Sequence, residues 1–406
     1  MNIVYLNHYA GSPALGMEYR PYYLAREWVG NGHAVQMLAA DFSHVRARQP
    51  RAGNEVVDGI AYRWYRTPRY RGNGWRRFWN IACFLRAVWA DTARLAHDFK
   101  PDVVIASSSY PLDIWVARRM ARRVGAKLVY EVHDLWPLSP IELAGMSPFH
   151  PFAMLCQLAE DAAYRDADVV VSMLPQVHSH MAGRGLDLDK LHIVPNGIAL
   201  DEWQGEPLQL REDVAEATRL ARAGGRTLVG YAGSMGLPNA LDTLLDAAAL
   251  LQQEGSSLQF VLVGDGHERE RLVGRIGSLG LANMCLLPPI PKAQMPALLA
   301  AMDIAYIGWQ RVPIYRFGIA PNKLMDYMMA RVPVLHAVEA GNDPVAESRC
   351  GLTVAPEDAA ASADGLRRLA ALPTAERHAM GARGRAFVLA EHTYPVLAQR
   401  FLGAVR

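Results

Sequence analysis

The chain has 406 residues, 51% of them hydrophobic and 20% charged, and a formal net charge of +2. That length suits two or three ordinary domains, and that balance suits a soluble globular protein rather than a disordered or strongly basic one. No apolar run reaches the ~18 residues that a membrane-spanning helix needs, so no span is expected.

The opening run MNIVYLNHYA reads as a first strand. It lacks a basic n-region and a cleavage site, so no signal peptide is expected. Further strands are expected at Ala34–Ala39, Val103–Ala106, Lys127–Val132, Val169–Ser172 and His192–Val194, the first being Asn2–Leu6. Helical periodicity lies between them, notably over Arg20–Gly30, Leu112–Val124 and Pro151–Tyr164. Pro195–Gly225 carries turn residues and a charged stretch and reads as a linker. The second half repeats the grammar, with strands at Thr227–Ala232, Gln259–Val263, Cys285–Leu287, Asp303–Ile307, Pro333–His336 and Leu352–Val354. Helices are expected at Leu241–Gln252, Glu268–Leu279 and Met295–Ala301, and Ala359–Val405 reads as helical with breaks at Pro373 and Pro395. Apolar strands separated by helices imply parallel sheets covered on both faces. The expected fold is α/β: two Rossmann-like domains facing a central cleft, with ligands beyond the carboxyl ends of the strands.

Four cysteines, Cys83, Cys156, Cys285 and Cys350, lie far apart in apolar surroundings without a CxxC, and read as reduced core residues of a cytoplasmic protein. Two Asp-x-Asp patterns, Asp166/Asp168 and Asp187/Asp189, fall before a strand and in a polar loop, and no His or Cys spacing suits zinc. Neither a metal nor a cofactor is expected.

The loop Gly11–Gly16 follows the first strand but is not GxGxxG, which disfavours a nicotinamide-dependent dehydrogenase. Its glycines still let backbone approach a ligand, and a plain connecting loop would read the same. Between Gly59 and Ala90 there is no acid, but there are seven arginines interleaved with Trp64, Tyr65, Tyr70, Trp75, Phe78, Trp79 and Trp89. That mixture suits a peripheral contact with an anionic inner-membrane surface through 59–90. A solvated basic face over core tryptophans has the same letters. Nucleic acid wants similar chemistry, but the near-neutral total charge excludes it as the expected partner.

Glu131-Val-His133-Asp134-Leu-Trp-Pro137 closes a strand. His133 and Asp134 are catalytic candidates there, because imidazole titrates near neutrality and hydrogen-bonds sugar hydroxyls, although a lone histidine is often structural. Gly233-Ser234-Met-Gly236 and Gly264-Asp265-Gly266 end two strands of the second half with small residues that suit a diphosphate. The segment Ala320–Val334, APNKLMDYMMARVPV, places a helix start near Pro321. Its first-turn N–H groups, the Lys323 cation and the Asp326 carboxylate one turn on match a phosphate and a ribose of a nucleotide diphosphate. A surface lysine and a solvated aspartate on an amphipathic helix would read alike.

Together these motifs resemble the GT-B glycosyltransferases of family 4, in their bacterial surface-polysaccharide branch. The resemblance rests on the Gly11–Gly16 loop with Gly16-Met-Glu18-Tyr-Arg20, on Val132-His133-Asp134-Leu-Trp-Pro, on Val194-Pro-Asn-Gly197, on Tyr231-Ala-Gly233, on Val263-Gly-Asp265-Gly266 and on Pro321-Asn322-Lys323 with Asp326. It implies a retaining transferase using a nucleotide-diphosphate sugar, with UDP as the default. The implied acceptor is a glycan or a polyprenyl-diphosphate-linked glycan of surface polysaccharide such as lipopolysaccharide or capsule. It implies domains at 1–200 (acceptor side) and 201–385 (nucleotide-sugar side), with 386–406 packing back on the first. His133 would face the donor sugar. Substrate would touch Gly16, Glu18, Arg20, Gly233, Ser234, Gly236, Asp265, Gly266, Arg316, Gly318, Ile319, Ala320, Pro321, Asn322, Lys323 and Asp326. The family's usual glutamate pair is Gly318 and Asp326 here, and its Arg and Lys are missing from Ser234–Asp242, with Arg311, Arg316 or Arg20 as replacements. A non-catalytic nucleotide-sugar-binding protein and a GT-B epimerase are the alternatives, the latter lacking evident carboxylates for elimination.

Overall fold

A computed structural model describes every residue except Met17, Glu18, Asn73 and Pro207. The chain divides into two compact units, Met1–Asn196 with Tyr394–Arg406, and Gly197–Thr393.

The first unit holds β1 (Asn2–Leu6), β2 (Ala34–Ala40), β3 (Gly53–Val57), β4 (Ile60–Tyr65), β5 (Val103–Ala106), β6 (Lys127–Val132), β7 (Val169–Ser172) and β8 (Leu191–Ile193). They form one sheet in the order β3-β4-β2-β1-β5-β6-β7-β8. Pairing is parallel, as in Ile3 opposite Val35 and Val103, except at the antiparallel β3–β4 pair. That hairpin corrects the sequence reading, which had no strands between 40 and 102. Asp58-Gly59 turns the chain with φ of 51° and 80°, the left-handed conformation a tight hairpin requires. Trp64, Tyr65 and Tyr70 are buried, and Arg63 pairs with Asp91, so this part of the basic-aromatic stretch is fold rather than free surface.

The helix Tyr394–Val405 belongs to the first unit, against the helix Tyr19–Gly30. Tyr394 stacks on Tyr23, Phe401 meets Trp28 edge-on, and the Trp28 indole N–H donates to the Ala398 carbonyl.

The second unit is a parallel sheet ordered β11-β10-β9-β12-β13-β14, built from β9 (Leu228–Ala232), β10 (Gln259–Val263), β11 (Met284–Leu287), β12 (Ile304–Gly308), β13 (Val334–Ala337) and β14 (Gly351–Val354). Its strands alternate between two cores. Tyr231, Phe260, Leu262, Tyr306 and Leu335 pack with the helices Leu241–Gln253 and Ala359–Ala371. Leu228, Ala232, Val261, Val263, Ala305 and Ile307 pack with Asn322–Met329 and Met295–Ala300. Both faces are covered, which is why the strands read as continuous apolar runs. The expected linker is also corrected: it contains the helix Glu212–Ala221, whose Val214 is wholly buried in the second core.

Candidate functional site

In the second unit, β9 leads to β10 and β11 on one side, and the chain then returns to β12 on the other. The order of strands reverses between β9 and β12, where a parallel sheet opens a crevice at its carboxyl edge. The helix Asn322–Met329 enters at this point with Pro321 as its cap residue. Tyr327 fixes it, its hydroxyl accepting from the Ala232 N–H at 2.9 Å and donating to the Ala232 carbonyl at 3.0 Å. The preceding residue Ile319 is clamped by Asn342, which accepts from its N–H at 2.7 Å and donates to its carbonyl at 3.1 Å.

Lys323 therefore stands at a set place. Its ammonium donates to the Tyr231 hydroxyl at 2.9 Å and to the Asn239 side-chain oxygen, and lies 4.9 Å from the Tyr231 ring centre. The described residues offer it no carboxylate, and burial pushes its pKa down to about 7. Asn239 lies within Ser234–Asp242, the segment that lacks the expected Arg and Lys, so Lys323 brings a cation to that turn from another element. Asp326 is half-buried, its carboxylate makes no hydrogen bond, and burial pushes that carboxyl up to about 7, against the opposing pull of Lys292. A cation and an acid, both short of partners in the ligand-free chain, suit a ligand with complementary groups.

The glycines of the two strand-end turns serve first to bring the turns together. A Cβ on Gly264 would lie 1.9 Å from the Gly233 carbonyl oxygen, and one on Gly266 would lie 2.3 Å from that of Met235. The Gly233 N–H bonds the Val263 carbonyl and the Met235 N–H bonds that of Asp265. Asp265 itself accepts from the Gly266 N–H, Ser234 accepts through its carbonyl from Tyr231 and Asn239, and Gly236 faces His267.

Before the helix, Pro313–Phe317 forms a 3-10 turn. Gly318 follows at φ 103° and ψ 172°, a region that essentially only glycine enters. The position where the family glutamate would stand is thus a backbone position here. Arg316 is exposed over the Phe317 ring, Arg311 pairs with Glu339, and Asn322 is exposed. A buried relay that sequence reasoning missed supports the same loop. The Trp309 indole N–H donates to His336 Nε2 at 3.1 Å, and His336 Nδ1 faces Asp343 at 2.9 Å.

In the first unit, His133 follows β6, beside Ser107 at the end of β5. Its Nε2 lies 2.9 Å from the Ser107 hydroxyl and 3.4 Å from Glu131. Glu131 is wholly buried and accepts from Arg20, Tyr5 and Ser107. Burial opposes its ionisation, but the Arg20 guanidinium, His133 and the hydrogen bonds outweigh that and hold it well below the ordinary carboxylate range. Asp134 is exposed and no hydrogen bond joins it to His133, although burial raises its carboxyl and the His133 charge pulls it back down. Ser107 was missed as a partner because it is on another strand, and Glu131, two residues before His133 and on its face, because the motif was read as a run. Arg20 also donates to the carbonyls of Val194 and Pro195, so its guanidinium holds this unit together. Gly16 closes a turn onto Ser12 at φ 75°, while Glu18 lies outside the described residues. Asp166 pairs with Arg118, and Asp168 accepts from the Leu128 N–H.

Comparison with known proteins agrees with this architecture. Residues 16–197 match the Glycosyl transferase 4-like domain, and residues 226–371 match Glycosyl transferases group 1. The alpha-D-kanosaminyltransferase of Streptomyces kanamyceticus is 24% identical over 62% of this chain and 63% of its own length, so the match spans less than two thirds of that relative. The putative colanic acid biosynthesis glycosyl transferase WcaI of Escherichia coli K12 is 23% identical over 68% of each chain. The crystal structure of Anabaena HepE with UDP-glucose superposes with a TM-score of 0.66 at 16% identity, over 99% of this chain and 98% of that one. With both sheets in this order and both domain families matched in sequence, the chain belongs to the GT-B glycosyltransferases.

Proposed function

We propose that this chain is a retaining, family 4 transferase that moves a hexosyl or N-acetylhexosaminyl group from a nucleotide-diphosphate sugar, a UDP-sugar first, to a glycan or polyprenyl-diphosphate-linked glycan of cell-surface polysaccharide. The observation that carries this reading is Lys323, a desolvated ammonium in the first turn of a helix at the switch point, given only a phenol and an amide oxygen. A diphosphate supplies what it lacks, and the helix N-terminus adds unpaired N–H groups at the same place. As the donor bond breaks, negative charge grows on that diphosphate, so the same groups lower the barrier. Asp326 would accept from the ribose. A relative named for colanic acid biosynthesis supports the polysaccharide context, and a HepE structure with UDP-glucose supports uridine.

His133 would act on the sugar end, oriented by Ser107 and Glu131. Glu131 is tied by Arg20, Tyr5 and Ser107, which favours same-face attack without an enzymic nucleophile, the leaving phosphate taking the acceptor proton. Contact with an anionic membrane surface is part of the acceptor reading. Trp75, Trp79 and Trp89 are exposed along one stripe of the helix Trp75–Phe99, beside exposed Arg71, Arg76 and Arg86, which supports it.

Calorimetry against UDP, GDP, ADP and TDP tests the donor. Lys323→Ala should weaken the preferred nucleotide by ~1.5–3 kcal/mol, the range for hydrogen bonds to charged groups. An unchanged Kd in the folded variant would refute the assignment. His133→Ala should lower turnover strongly and leave that Kd near wild type. Product of inverted anomeric configuration would overturn the retaining course.

A further inference from the structure

The strand β13 is apolar except at one place. Val334, Leu335 and Ala337 are buried hydrophobics, and His336 among them is wholly buried too. An imidazole there costs free energy unless its nitrogens are bonded. Both are. The Trp309 indole N–H donates to Nε2 at 3.1 Å, and Nδ1 lies 2.9 Å from Asp343. An indole N–H can only donate, so Nε2 accepts and the ring proton sits on Nδ1, facing the carboxylate. Asp343 is held in turn by the Thr353 hydroxyl and by the N–H groups of Val345 and Ala346.

What this relay holds leads to Lys323. Trp309 follows β12, and its backbone N–H also donates to the Ala337 carbonyl at 3.1 Å, so backbone and side chain both tie it to β13. The next residue, Gln310, donates its N–H to the Pro238 carbonyl at 3.1 Å. Pro238 lies in the 3-10 turn Leu237–Asn239, and the Asn239 side-chain oxygen accepts from the Lys323 ammonium. Gly308, just before Trp309, approaches the same turn: a Cβ on it would lie 3.1 Å from the Asn239 carbonyl oxygen. The turn ends on Ala240 at φ 43° and ψ 43°, a left-handed conformation for a residue with a side chain. Such backbone persists only where its surroundings fix it.

We infer that His336 is a positioning residue of the donor site: through Trp309 it fixes the turn that carries Asn239, and with it the place of Lys323. This rests on the nucleotide reading of Lys323. The bonds run without a break inside the second unit, from Asp343 through His336 and Trp309 to the Asn239 turn. An aliphatic side chain at 336 would fill the strand's space equally well, but it would give the indole no acceptor. Charge-assisted hydrogen bonds depend on distance and angle, so a lysine held less closely binds a diphosphate less tightly.

Calorimetry on the full chain tests this, with UDP or whichever of GDP, ADP and TDP binds tighter, in variants shown to be folded by their urea transitions. Trp309→Phe keeps a ring beside Tyr315, which the indole meets edge-on at 5.2 Å, and removes the indole N–H. It should weaken the nucleotide by about three- to tenfold, the worth of one neutral hydrogen bond. His336→Asn keeps an N–H for Asp343, places no acceptor at Trp309, and should lose as much. His336→Gln brings an amide oxygen within reach of the indole and should recover most of the affinity. Placed on Lys323→Ala, Trp309→Phe should cost nothing further, because both changes act through one ammonium. A residue that only supports the fold would lower affinity alike in the Asn and Gln variants and in either Lys323 background. Equal losses of that kind overturn the role, as does wild-type affinity in folded Trp309→Phe. Should a His336 variant not fold, Trp309→Phe in the two backgrounds decides. If Lys323→Ala loses affinity while Trp309→Phe does not, the donor reading stands and the positioning role alone falls. If the wild type binds none of the four nucleotides, the donor reading falls and the role with it.

Discussion

At the scale of single residues, the proposed donor site would make nucleotide binding sensitive to pH in opposite senses through Lys323 and Asp326. Burial brings both close to a pKa of about 7, the lysine from above and the aspartate from below. A bound diphosphate favours charged Lys323, and ribose hydroxyls favour ionised Asp326. Affinity for UDP should therefore peak near neutrality and fall on either side, measured by calorimetry across pH. Stability follows a different sign. Between the ordinary 3.8 and about 7, folded Asp326 keeps a proton that the unfolded chain releases. The folded state binds more protons there, so stability should fall as pH rises through this window. Asp326→Asn should flatten that slope in urea unfolding, and an unaltered slope would assign it to other groups. Gly318 makes a separate point. Restoring a glutamate at φ 103° and ψ 172° forces a side chain into a region reserved for glycine. Gly318→Glu should lose ~1–3 kcal/mol of stability and gain no turnover. A faster, equally stable variant would show that the loop accepts the family residue.

At the scale of elements, the second unit's site depends on how one short helix is tied to one strand. Asn322–Met329 has eight residues, too few to hold a fixed position by its own helical bonds. Tyr327 on Ala232 and Asn342 on Ile319 give it that position, and Lys323 is placed by them. Tyr327→Phe leaves the buried Ala232 N–H without its acceptor and should cost ~1–3 kcal/mol. It should also weaken UDP binding although residue 327 is wholly buried. Chemical denaturation and calorimetry on one preparation check both; lost stability with unchanged affinity would separate the anchor from the site. The turns at Gly233 and Gly264 belong to the same construction, since backbone meets backbone where any Cβ would intrude.

At the scale of the whole molecule, the first unit is completed by the last helix of the chain. Trp28 is wholly buried, with Phe401 against it, and the Lys127 ammonium donates to the Val405 carbonyl at 2.6 Å. Ending the chain at Thr393 removes Phe401, a buried aromatic of a kind whose loss costs ~3–5 kcal/mol. Calorimetric unfolding of that truncated chain should show a lower Tm for the first unit, while UDP binding, which the proposed donor site assigns to the second, should persist. An unchanged Tm would make the helix dispensable. Among the described residues no helix is long and apolar enough to cross a membrane. Wild-type protein should float with anionic vesicles and less so as salt rises, because each basic residue near such a surface contributes about 1 kcal/mol within a Debye length. Replacing Arg71 and Arg76 with glutamate and Trp75 and Trp79 with alanine should abolish flotation and spare UDP affinity. Equal flotation with neutral vesicles would return the stripe to ordinary surface.

Periodicity alone determined most strands of this protein. Asn2–Leu6, Val103–Ala106, Lys127–Val132, Val169–Ser172 and Gln259–Val263 lie where the sequence places them, because strands covered on both faces must be apolar throughout. It missed Gly53–Val57 and Ile60–Tyr65, an edge hairpin whose exposed, polar β3 carries no apolar run. Local chemistry singled out Lys323, Asp326 and His133 only as candidates, since Pro-x-Lys at a helix start and a histidine at a strand end are patterns that show within a few residues. Partners were another matter. That Lys323 reaches Asn239, that His133 meets Ser107 and Glu131, and that Arg20 is tied to Glu131 were decided by tertiary structure. These contacts join residues 84, 26, 2 and 111 positions apart, and one of them joins two residues on the same face of a single strand. The strand's alternation links the two-residue pair, but no spacing rule links the other three, because only the register of packed strands and helices brings them within hydrogen-bond reach.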